Sequence, residues 1–210
     1  MNILDNINIM LHWNHEIRNE YYEYIHKNNY GIEVVAFSHY SAWMDNVKKL
    51  VKIYRSELKD FSNFISFYGP ITDIIPHSHE PVVSDFSGNR IRQSIDIALE
   101  LNASRIVFHS GINTIITDPD YINETIESQS KFWSDIAGAY PQIDCVIENM
   151  WEQNTEYLYK IIQNVNMSNF NFCFDIGHAN VYGKISVTEW LIILNLFLNW
   201  IFWIKLKRVS

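Results

Sequence analysis

Short apolar runs alternate along the chain with longer segments in which apolar residues recur every three or four positions. The short runs predict β-strands at residues 7–12, 32–38, 64–68, 105–109, 143–148 and 170–175. The longer segments predict helices at residues 16–28, 43–58, 91–102, 122–136, 158–165 and 188–198. Because strands and helices alternate throughout, the pattern predicts an α/β fold in which helices connect the strands of a parallel sheet.

Three successive predicted strands are apolar until their last residue, which is then a side chain that can bind a metal. These last residues are His109, Glu148 and Asp175. Sites form at the carboxyl ends of parallel strands, so we expect the three side chains to converge. Gly177 permits a tight turn after Asp175, which returns His178 to the same place. Imidazole nitrogen and carboxylate oxygen together suit Zn²⁺, Mn²⁺ or Co²⁺.

Each of these residues also fits a purely structural role. A single core histidine is often hydrogen-bonded to the backbone, Asp175 fits a turn cap, and His178 fits a surface position. Glu148 is harder to explain in this way, because burying an unpaired carboxylate costs several kcal/mol. Since the pattern recurs on three successive strands, we favour ligand roles for all four residues.

Other histidines lie in predicted loops. The segment at residues 71–88 is long, and long loops without regular structure are often functional. It carries His77 and His79, but no third ligand stands nearby, so we predict that both are solvated. His12 and Trp13 lie at the carboxyl end of the first predicted strand, where they fit either a substrate pocket or a helix-capping turn.

Four segments together resemble the xylose isomerase-like TIM barrel superfamily, which holds sugar phosphate isomerases/epimerases and apurinic endonucleases of the endonuclease IV type. They are Val107–Gly111, Ile147–Met150, Phe174–Asn180 and Tyr68-Gly69-Pro70, and the first three of these stand in the family's order at plausible spacing. The resemblance extends over the whole chain. It implies a (β/α)₈ barrel that binds one to three divalent metals, with His109, Glu148, Asp175 and His178 as metal or substrate ligands.

The resemblance also implies roles for individual residues. In the epimerase branch, the carboxylate at Glu148 binds metal and moves a proton at the carbon next to a carbonyl of a small sugar or sugar phosphate. In the endonuclease branch, the same carboxylate bridges metals that activate water. Tyr68 stands where the family often has a histidine, and we group it with His12 and Trp13 as substrate-binding residues.

The chain departs from the family towards its end. We predict a single incomplete TIM-barrel domain over residues 1–210, truncated after about six to seven β/α units. Residues 200–208 stand where strand seven is expected but lack the family's His and Asp, and the eighth unit with its carboxylate is absent. We therefore expect very slow or no turnover, and self-association through open barrel edges. A third interpretation is a catalytically inactive remnant or scaffold.

The net charge of the chain indicates which kinds of partner it can bind. The net charge of −8 works against phosphate-backbone binding, so it disfavours nucleic acid as a partner and favours the isomerase over the endonuclease.

Two cysteines, Cys145 and Cys173, are predicted as buried thiols facing opposite ways, which indicates a reducing compartment. No basic segment opens the chain, so we expect a cytoplasmic protein. Residues 190–204 are shorter than the ~20 residues of a membrane span, which favours a buried helix and strand over a membrane anchor.

Overall fold

The computed structural model describes residues 10–13, 23–25, 27–45, 47–197 and 203–205. The chain divides into two compact units. The first comprises Met1–Thr72 with Arg90–Ile106, and the second comprises Asp73–Asn89 with Val107–Ser210. Organisation as a single domain over residues 1–210 stays a prediction.

Strands and helices alternate along the described residues as the hydrophobic pattern predicts. The strands are β1 (Met10–Trp13), β2 (Gly31–Val34), β3 (Ile65–Tyr68), β4 (Arg105–His109), β5 (Asp144–Glu148), β6 (Phe170–Asp175) and β7 (Trp203–Lys205). The helices are α1 (Tyr40–Asp45), α2 (Val47–Leu58), α3 (Pro81–Glu100), α4 (Pro119–Ala139), α5 (Glu156–Val165), α6 (Ile176–Tyr182) and α7 (Val187–Phe197), and residues 23–25 are also helical. No helix among the described residues is both long and apolar enough to cross a membrane.

The first unit is built on three parallel strands, with β2 between β1 and β3. Every residue of β2 and β3 is buried, as expected for parallel strands that are covered on both faces. Phe37 stacks on Phe67 with ring centroids 5.2 Å apart and meets Tyr54 of α2 edge-on at 5.6 Å. These aromatic contacts form the core of the first unit.

The second unit contains the neighbouring strands β5, β6 and β7, which are parallel, and the end of β4, which lies next to β5. In the register of β5 and β6, Glu148 lies opposite Cys173. Trp133 of α4 is buried and stacks on Phe170 with ring centroids 5.5 Å apart. Trp190 of α7 stacks on Phe174 in the same way at 5.4 Å. Helices packed through large aromatic rings therefore hold the strands whose ends carry the predicted ligands.

Several element boundaries differ from the predicted ones. Helix α3 begins at Pro81, ten residues before the predicted start at residue 91. The helical pattern is hidden there because its first turns pack through serines, whose hydroxyls bond the preceding loop: Ser84 Oγ donates to the Pro76 carbonyl, and Ser87 Oγ accepts from the Ile75 N–H, both at 2.8 Å. Residues 176–182 form α6 where a tight turn was expected.

The two cysteines form no disulfide, as predicted, and both are buried. Burial, with a smaller contribution from the Asp144 charge, raises the pKa of the Cys145 thiol to about 12. This thiol therefore stays protonated and behaves as a small apolar core residue.

Candidate metal centre

Three of the predicted ligands lie together in the second unit. His109 ends β4, Glu148 ends β5 and His178 lies in the first turn of α6. Each offers one ligand atom, and these atoms all lie within 4.8 Å of one another. Glu148 is fully buried, whereas both histidines are partly exposed. Two imidazoles and one carboxylate at this spacing form a set that can hold a divalent metal.

Asp175, the fourth predicted ligand, lies beside this set at the end of β6. Its Oδ1 accepts a hydrogen bond from the His178 backbone N–H at 2.8 Å, which caps α6. Its Oδ2 is 3.8 Å from His178 Nδ1, and the Glu148 Oε1 is 3.7 Å from the same nitrogen. A turn cap and a metal ligand are the two roles predicted as alternatives for Asp175, and its two oxygens allow both.

The Asp175 Oδ2 atom provides a test of whether a cation fits. It is buried and accepts no hydrogen bond within the part of the chain that the structure describes. A buried carboxylate oxygen without a donor is costly, and a cation would remove that cost. The oxygen and imidazole donors are also of the types that Zn²⁺, Mn²⁺ and Co²⁺ bind.

The ring of His178 is oriented by a backbone carbonyl. Its Nδ1 lies 2.8 Å from the Asn149 carbonyl oxygen. Because a carbonyl oxygen can only accept, this hydrogen bond assigns the proton to Nδ1 and leaves the lone pair on Nε2. A histidine that donates one ring N–H to a backbone carbonyl is a common arrangement for metal ligands.

Asn149 also joins the ends of β5 and β6. Its Nδ2 donates to the Asp175 carbonyl at 2.9 Å, and its Oδ1 accepts from the Asp175 N–H at 2.8 Å. The side-chain amide thus satisfies both backbone polar groups of Asp175. From the sequence, Glu148-Asn149 is a point of family resemblance only. In the structure, Asn149 has a specific part in placing both Asp175 and His178.

A second polar group that the sequence analysis missed is Glu152. It is buried in the loop after β5. Burial raises the pKa of its carboxyl, although hydrogen bonds from the Ser110 hydroxyl and the Met150 N–H act in the opposite direction. The residue lies in a polar segment between two elements, where the hydrophobic pattern gave no sign of burial.

The prediction that His77 is solvated is wrong, whereas His79 is exposed as expected. Burial, followed by the neighbouring charge of His79, lowers the pKa of His77 to about 4. The His77 ring lies 3.5 Å from the position that a Cβ would take on Gly111. Gly111 has a φ of +64° in the loop after His109, which explains the need for glycine there.

The three predicted substrate-binding residues lie in the first unit. His12 and Trp13 are the last two residues of β1, where they lie opposite Glu33 and Val34 of β2. Tyr68 is buried at the end of β3. Their contact with a substrate stays a prediction.

The chain is similar to a known protein family and to a curated protein. A family model described as xylose isomerase-like TIM barrel matches residues 20–208. An uncharacterized protein from Methanocaldococcus jannaschii is 28% identical over 140 residues, which cover 62% of this chain and 47% of the relative. The match thus spans about half the length of that curated relative.

Solved structures share the fold at low sequence identity. A protein from Thermus thermophilus soaked with ZnCl₂ has a TM-score of 0.70 and 23% identity, covering 90% of this chain and 75% of its own. A D-tagatose 3-epimerase-like protein has a TM-score of 0.67 and 23% identity, with 94% and 75% covered. The IolI protein with a bound zinc atom has a TM-score of 0.64 and 16% identity, with 88% and 68% covered. These likenesses confirm the predicted TIM-barrel fold class.

Proposed function

We propose that this chain, which belongs to the xylose isomerase-like TIM barrel family, is a metal-dependent isomerase or epimerase of a small sugar or sugar phosphate. The observation that carries the proposal is the convergence of His109, Glu148 and His178, whose ligand atoms lie within 4.8 Å of one another. The D-tagatose 3-epimerase-like protein and the zinc-bearing structures supply the analogy for substrate and metal.

The ligands of the metal would be His109, a carboxylate oxygen of Glu148, Nε2 of His178 and Oδ2 of Asp175. Zn²⁺, Mn²⁺ or Co²⁺ at this place would polarise a substrate carbonyl as a Lewis acid. The Asn149 carbonyl favours the tautomer of His178 that carries its proton on Nδ1, which leaves Nε2 available for a metal.

Glu148 is the residue that we assign as the base. Its carboxyl has two oxygens, so one can bind the metal while the other removes a proton from the carbon next to the carbonyl. The electrons of the broken C–H bond would then form an enediolate. Isomerisation would be completed when the proton is returned to the neighbouring carbon and the hydroxyl proton of the enediolate moves to the other oxygen. Epimerisation would need a proton from water on the opposite face of the original carbon, because one carboxylate reaches only the face from which it removed the proton. Return to the original face regenerates the substrate.

A solvent-exchange experiment tests this assignment. Ketoses incubated in D₂O with protein and added Mn²⁺ should slowly gain one deuterium, which mass spectrometry detects. We expect Glu148→Gln to abolish the gain, because the amide cannot accept the proton. Glu156→Gln, which changes an exposed glutamate of α5, is the matched control and should exchange like the wild type. Exchange that persists in Glu148→Gln would remove Glu148 from the role of base.

A second function is favoured by the presence of two histidines in the ligand set. An apurinic endonuclease-like phosphodiesterase uses such ligands, with a bridging glutamate, to activate water. The net charge of −8 weighs against binding a phosphate backbone. Incubation with an abasic duplex at low salt separates the two functions: metal-dependent cleavage that is lost in Glu148→Gln would favour the endonuclease over the epimerase.

We further propose that the protein is cytoplasmic and self-associates. The two buried cysteines without a disulfide suit a reducing compartment. Among the described residues, β1 pairs with β2 alone and β7 with β6 alone, and an open strand edge favours pairing with a second copy. Light scattering at several concentrations should give a mass above the 24.8 kDa of one chain. A monomer that persists at high concentration would refute the self-association.

A further inference from the structure

Glu152 connects the loops that follow two of the ligand-bearing strands. It is only 1% exposed and lies four residues after Glu148. Its Oε2 accepts the Met150 N–H at 2.6 Å, within its own loop. Its Oε1 accepts a hydrogen bond from the hydroxyl of Ser110, the residue that follows His109. One buried carboxylate therefore joins the residue after the His109 ligand to the loop after the Glu148 ligand.

Ser110 is itself held from several sides. Its Oγ also accepts the Ile112 N–H at 3.2 Å, and its carbonyl accepts from Gln129 Nε2 of α4 at 2.9 Å. Gln129 in turn accepts from the indole N–H of buried Trp133 at 3.2 Å. The residue next to His109 is thus anchored to the helix core on one side and to Glu152 on the other.

A buried carboxylate stabilises a loop less than an apolar side chain would, because burying its charge costs free energy. Hydrogen bonds to a hydroxyl and a peptide N–H offset only part of that cost. An apolar side chain of similar size would fill the space without the penalty. The hydrogen bonds of Glu152 instead suit a role in orienting Ser110, because hydrogen bonds fix the direction of the bonded groups whereas apolar contacts do not.

We infer that Glu152 is a positioning residue for the metal centre, acting through Ser110 on the direction of His109 relative to Glu148. This inference rests on the proposed metal site. Glu152 itself binds neither metal nor substrate in this account. Residues that orient metal ligands in this way typically change metal affinity by about 10–100-fold when they are removed.

Zinc titration against a chromophoric chelator tests the inference on the full chain. We expect Glu152→Ala and Ser110→Ala each to weaken Zn²⁺ binding by about tenfold or more. Because they act through one contact, the double variant should bind no more weakly than Glu152→Ala alone. Glu152→Gln, which keeps a hydrogen-bonding head group, should recover most of the affinity. Ser130→Ala, which removes another buried hydroxyl from α4, and Glu156→Gln are the matched controls.

The visible spectrum of the Co²⁺ form separates placement from general stability. At saturating Co²⁺, a shifted ligand-field band in Glu152→Ala, with wild-type bands in Ser130→Ala, indicates altered ligand geometry. Thermal unfolding of the metal-free proteins identifies a variant that fails to fold. If Glu152→Ala fails to fold, the Zn²⁺ affinity and Co²⁺ spectrum of Ser110→Ala test the positioning role instead.

The outcomes distinguish the two claims. If the wild type binds Zn²⁺ and His109→Ala does not, but Glu152→Ala and Ser110→Ala bind with wild-type affinity and spectrum, then Glu152 has no positioning role and the metal centre stands. If neither the wild type nor His109→Ala binds Zn²⁺, then the metal centre and the positioning role both fail.

Discussion

The strands of the two units are buried to a similar degree but end in different chemistry. In the first unit, β2 and β3 are buried throughout and end at Val34 and Tyr68. In the second, β5 and β6 are nearly as buried and end at Glu148 and Asp175. All four of these last residues are buried, so the two units differ in the chemistry of the side chain at the strand end and not in its burial.

The polar groups beyond the strand ends differ as well. In the first unit they satisfy the backbone: the Ser38 hydroxyl donates to the Val35 carbonyl, and the Trp43 indole donates to the Phe37 carbonyl, both at 2.8 Å. In the second unit, Asn149 bonds the backbone of a ligand-type residue. In the second unit, neighbouring polar groups thus fix the directions of side chains at the strand ends, which a binding site requires.

The largest effect should come from removing a ligand of the second unit. Glu148→Ala removes a carboxylate from the centre of the set, so we expect bound zinc to fall below about a tenth of an equivalent. Tyr68→Phe changes the strand end of the first unit and should keep the wild-type metal content. Elemental analysis after purification without chelator measures both. Equal metal contents in the two variants would abolish the distinction between the units.

The buried histidine of the second unit should make stability depend on pH. The folded-state pKa of His77 is lowered to about 4, so its contribution is present above the ordinary value of 6.5 and is lost as pH falls towards 4. We expect the wild type to lose about 3 kcal/mol more over this range than His77→Phe.

Urea unfolding at pH 7 and at pH 4 measures this difference. His79→Asn is the matched control, because His79 is exposed, and it should follow the wild type. An identical pH dependence in His77→Phe and the wild type would mean that His77 is not held neutral by burial.

A smaller effect should follow from the amide that joins β5 and β6. Asn149→Ala removes two hydrogen bonds to Asp175, so we expect Zn²⁺ affinity to fall by about tenfold while Glu148 and the histidines remain. Asn154→Ala, in the following loop, removes an exposed hydrogen bond from the Glu156 N–H to the Asn154 side chain and should leave the Zn²⁺ affinity unchanged. Isothermal titration with Zn²⁺ compares the two. Loss in both variants would indicate a general effect of the loop rather than the specific pairing of Asn149 with Asp175.

The positions of the candidate ligands could be predicted because they depend on the strand pattern. His109, Glu148 and Asp175 each follow an apolar run, and the parallel order brings such ends to one edge. The approach of His178 was also expected, but by a turn at Gly177. The structure instead begins α6 at that point, capped by Asp175, because an N-cap residue supplies the acceptor that a helix start needs.

The supporting residues could not be predicted from the sequence. The parts of Asn149 and Glu152 depend on partners 26 and 42 residues away, and local pattern holds no sign of such pairs. The burial of His77 has the same cause, since the early start of α3 closes the loop that carries it. The burial of polar groups in loops depends on tertiary contacts, and hydrophobic periodicity along the chain does not predict those contacts.

Anomalous diffraction from zinc-soaked crystals tests the central claim most directly. We predict a zinc peak about 2.0–2.2 Å from His109, from a carboxylate oxygen of Glu148 and from Nε2 of His178, with Asp175 Oδ2 also turned towards it. The His178 Nδ1 should keep its hydrogen bond to the Asn149 carbonyl. The absence of a peak among these residues, or a peak bound only by exposed side chains elsewhere, would contradict the account.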